Sequence, residues 1–235
     1  MSGELDVLID VSRPLREGMA VWPGDTPFRR RVSRSPGSLG PVTVSALTLS
    51  SHTGTHVDAP LHVDSRAGGV ETLDLARFVG PALVIDARGR QALGEDLVPP
   101  DALASRRRLL FRTDCAAPSA GAWGFKAGAG RDERSGDAFT PRAPFLTPDL
   151  ARAAAAAGVP LVGVDGPSVD PFESETLEAH RLLVAGGVAI LEGLDLSRAQ
   201  PGEWLLIALP LLLEGCDGAP VRAALARAAG GIGSD

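Results

Sequence analysis

Short apolar runs separated by turn residues set the rhythm of this chain. Leu5–Val11, Val42–Leu49, Ala82–Asp86, Leu109–Arg112, Val159–Val164, Val188–Leu191 and Trp204–Leu209 are rich in leucine or β-branched residues and end in turn signals, which predicts strands. Helices are fewer and better marked. Thr147-Pro148-Asp149 has a capping hydroxyl, a proline suited to the first helical position and an acid at the positive end of the dipole. The alanine run to Ala157 propagates that helix and Gly158 ends it. A second helix is predicted from Ser174, as N-cap, to Ala185, with Gly186 past its end. Short helices are expected near Leu73–Phe78 and Val221–Ala228. A strand-rich first part followed by helix–strand–helix–strand suits an α/β or α+β fold with a mixed β-sheet.

Residues 114–138 break the pattern. They are polar, rich in Gly and Ala, and aperiodic, and are read as a loop insertion. Arg106-Arg107-Arg108 is read as a solvated face. With 235 residues, 44% apolar and 22% charged, the composition is that of a globular protein with a sizeable core. The net charge of −6 argues against nucleic acid or an anionic membrane as partner. No secretory leader and no run of 18 apolar residues is seen, so the cytoplasm is expected. Cys115 and Cys216 lie far apart with no CxxC, so neither a disulfide framework nor a thiolate metal site is expected.

The chemistry concentrates in one window. Three of the four histidines, His52, His56 and His62, fall within Ser51–His62 together with Asp58. Imidazole and carboxylate are the usual ligands of zinc, manganese and similar ions. His52 and His56 have the i, i+4 spacing of a helical zinc site. Gly54, Pro60 and the β-branched Thr53, Thr55 and Val57 oppose a helix, and Thr53 stands where an HExxH helix carries its glutamate. An extended segment is expected instead. There His56, Asp58 and His62 share parity, and Gly54 lets the backbone turn so that His52 can join them. The remaining ligands should come from the far half: His180 on the second helix, and Glu192 at the end of an apolar strand, where an unpaired charge is costly. Three imidazoles and two carboxylates exceed the needs of one tetrahedral ion and could hold two, bridged by Asp58 and Glu192.

The segment His52–His62 matches the signature HxGTHxDxPxH in full, and on that basis the chain resembles the cyclase family of metal-dependent hydrolases. Within that family the resemblance is strongest to the bacterial kynurenine formamidase (arylformamidase) branch. It continues through Val21–Phe28, Val164–Pro171, Ile190–Leu194, Ala208–Leu211 and Asp217–Arg222, nearly the whole chain apart from 114–138. The chain is therefore read as one domain, 1–235. The resemblance implies a swivelling β/β/α fold with a mixed sheet and a homodimer or higher homo-oligomer. It implies His52, His56 and Asp58 on one metal, with Asp58 and Glu192 bridging to a second that His180 completes. The ions would be two divalent metals, zinc first and manganese as the alternative. It makes His62 the proton donor and acceptor, and it places Trp22 against the substrate ring. In the formamidase branch a second histidine is expected after the one matching His180; here Arg181 stands there.

The activity implied is hydrolysis of a small aryl formamide, N-formyl-L-kynurenine, to L-kynurenine and formate in tryptophan degradation. A metal-activated hydroxide would attack the formyl carbonyl. The rivals are another family hydrolase, opening a cyclic amide such as isatin or cleaving another small amide or ester, and a non-catalytic metal-binding protein. A serine-nucleophile formamidase is disfavoured because Pro36-Gly37-Ser38-Leu39-Gly40 has proline where GxSxG needs glycine.

Overall fold

The computed structural model describes residues 7–37, 40–116 and 142–227, and 117–138 of the expected insertion lie outside them. The strands are β1 (Val7–Asp10), β2 (Arg29–Arg34), β3 (Val44–Thr48), β4 (His56–Asp58), β5 (Val79–Asp86), β6 (Ala92–Leu93), β7 (Arg108–Arg112), β8 (Phe145–Leu146), β9 (Leu161–Val164), β10 (Ala189–Glu192), β11 (Gly202–Ile207), β12 (Gly218–Pro220) and β13 (Ala224–Arg227). Nine of them form one mixed sheet in the order β1-β13-β11-β5-β7-β9-β10-β4-β12. Neighbours from β5 to β10 are parallel and the flanking pairs antiparallel. The fold is α+β.

The central strands are apolar at successive positions because both sheet faces are covered. Leu110, Leu161 and Leu191 face one core with Trp204, Leu206 and Leu225. Leu109, Phe111, Val162 and Ile190 face the other, against Leu150, Ala151 and Leu183 of the helices. Those helices are α1 (Pro100–Ala104), α2 (Pro148–Ala157) and α3 (Glu178–Ala185). α2 forms as expected: the Thr147 hydroxyl accepts from the Leu150 amide, and Gly158 turns left-handed at φ 67°.

Several expectations need correction. α3 starts three residues later than predicted, at Glu178, with Leu177 rather than Ser174 before it. Ser174 instead accepts from Leu177 N at 3.0 Å, and Asp170 accepts from the amides of Ala179 and His180, so the first turn is capped from outside the helix. Of the helix expected at Val221–Ala228, the described part, Val221–Arg227, is not helical. Ala224–Arg227 is clamped between β1 and β11, and tertiary pairing overrides the helix propensity of alanine. Near Leu73–Phe78 there is only a 3₁₀ turn, Leu75–Arg77. Arg108 is not on a solvated face. It is buried and donates to the carbonyls of Ala76, Arg77, Val79 and Pro81, tying the turn before β5 and the start of that strand to β7. Among the described residues no helix is long and apolar enough to cross a membrane.

Candidate metal centre

β4 lies between β10 and β12, and its register builds the site. Ile190 pairs with Asp58, Leu191 with Val57, and Glu192 with His56. Val57 and Leu191 belong to the first core and Ile190 to the helix-side core. Strand alternation therefore turns His56, Asp58 and Glu192 toward the face that α3 covers, and α3 brings His180. Gly54 adopts φ +74°, the turn expected of it. His52 reaches the strand because position 218 has no side chain: a Cβ there would lie 2.9 Å from His52 Cε1 and 2.7 Å from the Val57 carbonyl. The extended run ends at Ala59. His62 reaches the site on a 3₁₀ turn, Pro60–His62, rather than by strand parity.

All five residues converge. His52 Nδ1 lies 2.8 Å from Asp58 Oδ1, and His56 Nε2 lies 3.5 Å from both Asp58 Oδ1 and Glu192 Oε2. His180 Nε2 lies 3.3 Å from Asp58 Oδ2 and 3.3 Å from Glu192 Oε1. Asp58 thus belongs to two groups, His52–His56–Asp58 and Asp58–His180–Glu192, each with its ligand atoms within 4.8 Å of one another. The outer nitrogens of two rings are tied back as well. His56 Nδ1 donates to the Gly54 carbonyl at 3.0 Å and His180 Nδ1 to Asp170 Oδ2 at 2.7 Å, which leaves Nε2 of each facing inward.

Charge explains what the cluster can hold. Burial pushes Asp58 up, but His180, His52 and His56 outweigh it and hold the carboxyl well below its ordinary value. Glu192 is lowered in the same way by His180 and His56, against burial and the charge of Asp58. Burial opposes charge on the histidines, yet Asp58 and Glu192 raise His56 to about 10, Asp170, Asp58 and Glu192 raise His180, and Asp58 and Asp217 raise His52. Two buried carboxylates thus demand positive charge, from protons or from a cation. Asp58 Oδ2 is buried without a hydrogen bond, since His180 Nε2 is near it but not in hydrogen-bonding geometry. An oxygen-and-imidazole donor set with an unsatisfied buried carboxylate oxygen fits a divalent metal.

Above the cluster opens a cavity of about 370 Å³ whose walls include Trp22, Phe172, Pro167 and Leu177, with His62 beside the ligand set. The Trp22 and Phe172 rings are 5.2 Å apart at 47°. The His62 ring lies tilted at 44° to that of His52, with centroids 4.2 Å apart. Arg181, where a histidine was expected, is exposed and donates to the Thr176 carbonyl. Sequence reasoning missed three residues. Phe172 and Asp170 sit just beside the Val164–Pro171 resemblance or inside it, and Asp217 sits within Asp217–Arg222; an acid preceding a histidine-bearing helix was the available signal for Asp170. Asp165 is a further buried acid. Thr113 N and Oγ1 donate to it at 2.7 and 2.5 Å, and burial raises it to about 6.

The family described as "Putative cyclase" matches residues 9–171. The kynurenine formamidase of Geobacillus thermodenitrificans (strain NG80-2) is 42% identical over 217 residues, 92% of this chain and 96% of its own length. A solved "predicted metal-dependent hydrolase" from Bacillus stearothermophilus superposes with a TM-score of 0.72 at 28% identity, covering 93% of this chain and 97% of the other. Isatin hydrolase A from Labrenzia aggregata, bound to benzyl benzoate, shares the fold with a TM-score of 0.75 at 23% identity, covering 94% and 93%. The chain belongs to the cyclase family.

Proposed function

We propose that the protein is an arylformamidase-type metal-dependent hydrolase, acting on carbon–nitrogen bonds other than peptide bonds, and that its substrate is N-formyl-L-kynurenine. The products are L-kynurenine and formate, a step of tryptophan degradation. The observation that carries this reading is the convergence of His52, His56, Asp58, His180 and Glu192 beneath an aromatic-walled cavity that also admits His62. The relatives' activity, named for them above, supports the choice of substrate.

His52, His56, Asp58, His180 and Glu192 would hold two divalent ions, zinc first and manganese as the alternative. The two oxygens of Asp58 face different histidines, which suits a bridging carboxylate. Bound there, such ions would supply Lewis acidity, bringing the pKa of water down toward neutrality and balancing charge on the carbonyl oxygen. His62 carries a proton to the aryl nitrogen, which leaves poorly as an anion. Trp22 and Phe172 grip the aryl ring, with stacking worth about 0.5–1.5 kcal/mol beyond area burial. The protein acts as a homodimer or higher homo-oligomer. The exposed β2–β3 hairpin, a two-stranded sheet too small to be stable alone, supports a covered surface. The free thiols of Cys115 and Cys216 suit the cytoplasm.

Turnover of N-formylkynurenine, isatin and a simple aryl formamide by metal-reconstituted protein tests the proposal. N-formylkynurenine should give the highest kcat/KM. Preference for isatin makes this a cyclic-amide hydrolase, and no turnover with full metal loading makes it a metal-binding protein.

A further inference from the structure

Asp217 stands immediately before β12, whose first residue, Gly218, pairs with Asp58. Its carbonyl accepts from the Ala59 amide at 2.8 Å, so its backbone is pinned to the end of β4. Its carboxylate is held as firmly: Oδ1 accepts from Ser51 Oγ at 2.7 Å. Oδ2 meets two imidazoles. It accepts from His52 Nε2 at 2.9 Å and lies 3.5 Å from His62 Nδ1. The side chain is 44% exposed, at the rim of the site.

His52 is therefore held from both ends. Nδ1 faces Asp58 on the ligand side, and Nε2–H points out to a carboxylate. A ligating histidine whose other nitrogen donates to a carboxylate has its tautomer and ring orientation set. His62 Nδ1 stands near the same oxygen, at ion-pair distance rather than in a hydrogen bond. With Nδ1 turned to Asp217, its remaining nitrogen, Nε2, is the one left for substrate, and an imidazolium formed there has a neighbouring negative charge. An orienting carboxylate behind a proton-carrying histidine serves both purposes.

We infer that Asp217 is a positioning residue shared by the metal ligand His52 and the proton carrier His62, so that one carboxylate aligns the cation site with the proton path. The inference rests on the reading of His62 as proton carrier given above. Asp170 serves His180 from the opposite side of the cluster, whereas Asp217 is the carboxylate that lies near both a ligand and His62.

The test uses the full chain with Asp217→Asn, His62→Ala and the double variant. Zinc affinity is measured by competition with a chelating indicator, and kcat and KM for N-formylkynurenine are measured at saturating zinc. Asp217→Asn should bind zinc about 10–100-fold more weakly. At saturating zinc its kcat should fall while KM holds, and in the His62→Ala background the same substitution should cost no further kcat, because the two act as one unit. Wild-type zinc affinity in Asp217→Asn, or a kcat loss of undiminished size in the His62→Ala background, overturns the inference. Should Asp217→Asn fail to fold, Ser51→Ala, which removes only the Oδ1 contact, should show both losses in milder form, and a Ser51→Ala protein with neither loss also overturns it. If the wild-type protein hydrolyses no formamide, the substrate reading falls, and the zinc affinities still decide the role of Asp217 toward His52.

Discussion

Glu192 and His56 are register partners across the β10–β4 pair, and His56 Nε2 lies 3.5 Å from Glu192 Oε2. The other oxygen of Glu192 accepts from the Val169 amide at 2.7 Å. The strand pairing that builds the sheet therefore also sets the spacing of the cation site, and the loop lining the cavity is tied to the same carboxylate.

Replacing Glu192 with glutamine keeps its shape and its bond to Val169 but removes a negative charge from the cluster. At metal concentrations about 100 times Kd, a ligand bound only by the native state stabilises it by about 2.7 kcal/mol. Glu192→Gln should lose most of that metal-dependent gain, read as the shift in denaturation midpoint with and without zinc. A gain equal to that of the wild type would show that Glu192 is not a ligand.

His62→Ala should retain metal and fold while losing rate by about 10²–10⁴-fold, the usual contribution of general acid–base catalysis. Metal analysis and kinetics on one preparation separate the roles. If metal content falls together with activity, His62 is a ligand instead.

The tilted pair of Trp22 and Phe172 predicts selective damage. Trp22→Ala and Phe172→Ala should each raise KM for an aryl formamide by about 2–10-fold, the range that stacking supplies, and raise it less for a small aliphatic formamide. Equal effects on both substrates would mark the two rings as structural.

Asp165 predicts a pH dependence of stability. In the folded protein burial raises it to about 6, above the ordinary 3.8, so the native state favours its neutral form while the unfolded chain ionises first. Its contribution is therefore full at low pH and is lost as pH rises from about 4 to about 6, an effect on the order of 3 kcal/mol. Asp165→Asn cannot ionise. Its stability relative to the wild type, measured by chemical denaturation at pH 4, 5, 6 and 7, should improve over that window and then level off. A constant difference would mean that Asp165 is already ionised in the fold.

Much of this protein was legible in its sequence where the cause is local. Apolar runs closed by turn residues located the central strands to within a few positions, because burial on both faces leaves a continuous apolar stretch. Thr147 and Gly158 marked both ends of α2 because caps act within one turn. The His52–His62 window was visible because covalent spacing alone gathers His52, His56 and Asp58, and Glu192 stood out as a charge at the end of a buried run.

Only the tertiary structure decided what depends on partners distant in the chain. Pairing of β4 with β10 and β12 set Glu192 opposite His56 and brought Asp217 to His52 across 165 residues of chain. Pairing with β1 and β11 made a strand of the alanine-rich Ala224–Arg227, and a bend before β5 drew Arg108 out of its charge run into the interior. Local propensities differ by less than about 1 kcal/mol per residue, so a ladder of strand hydrogen bonds overrides them. Which ladder forms is settled by the fit of whole elements, and no single window of sequence carries that information.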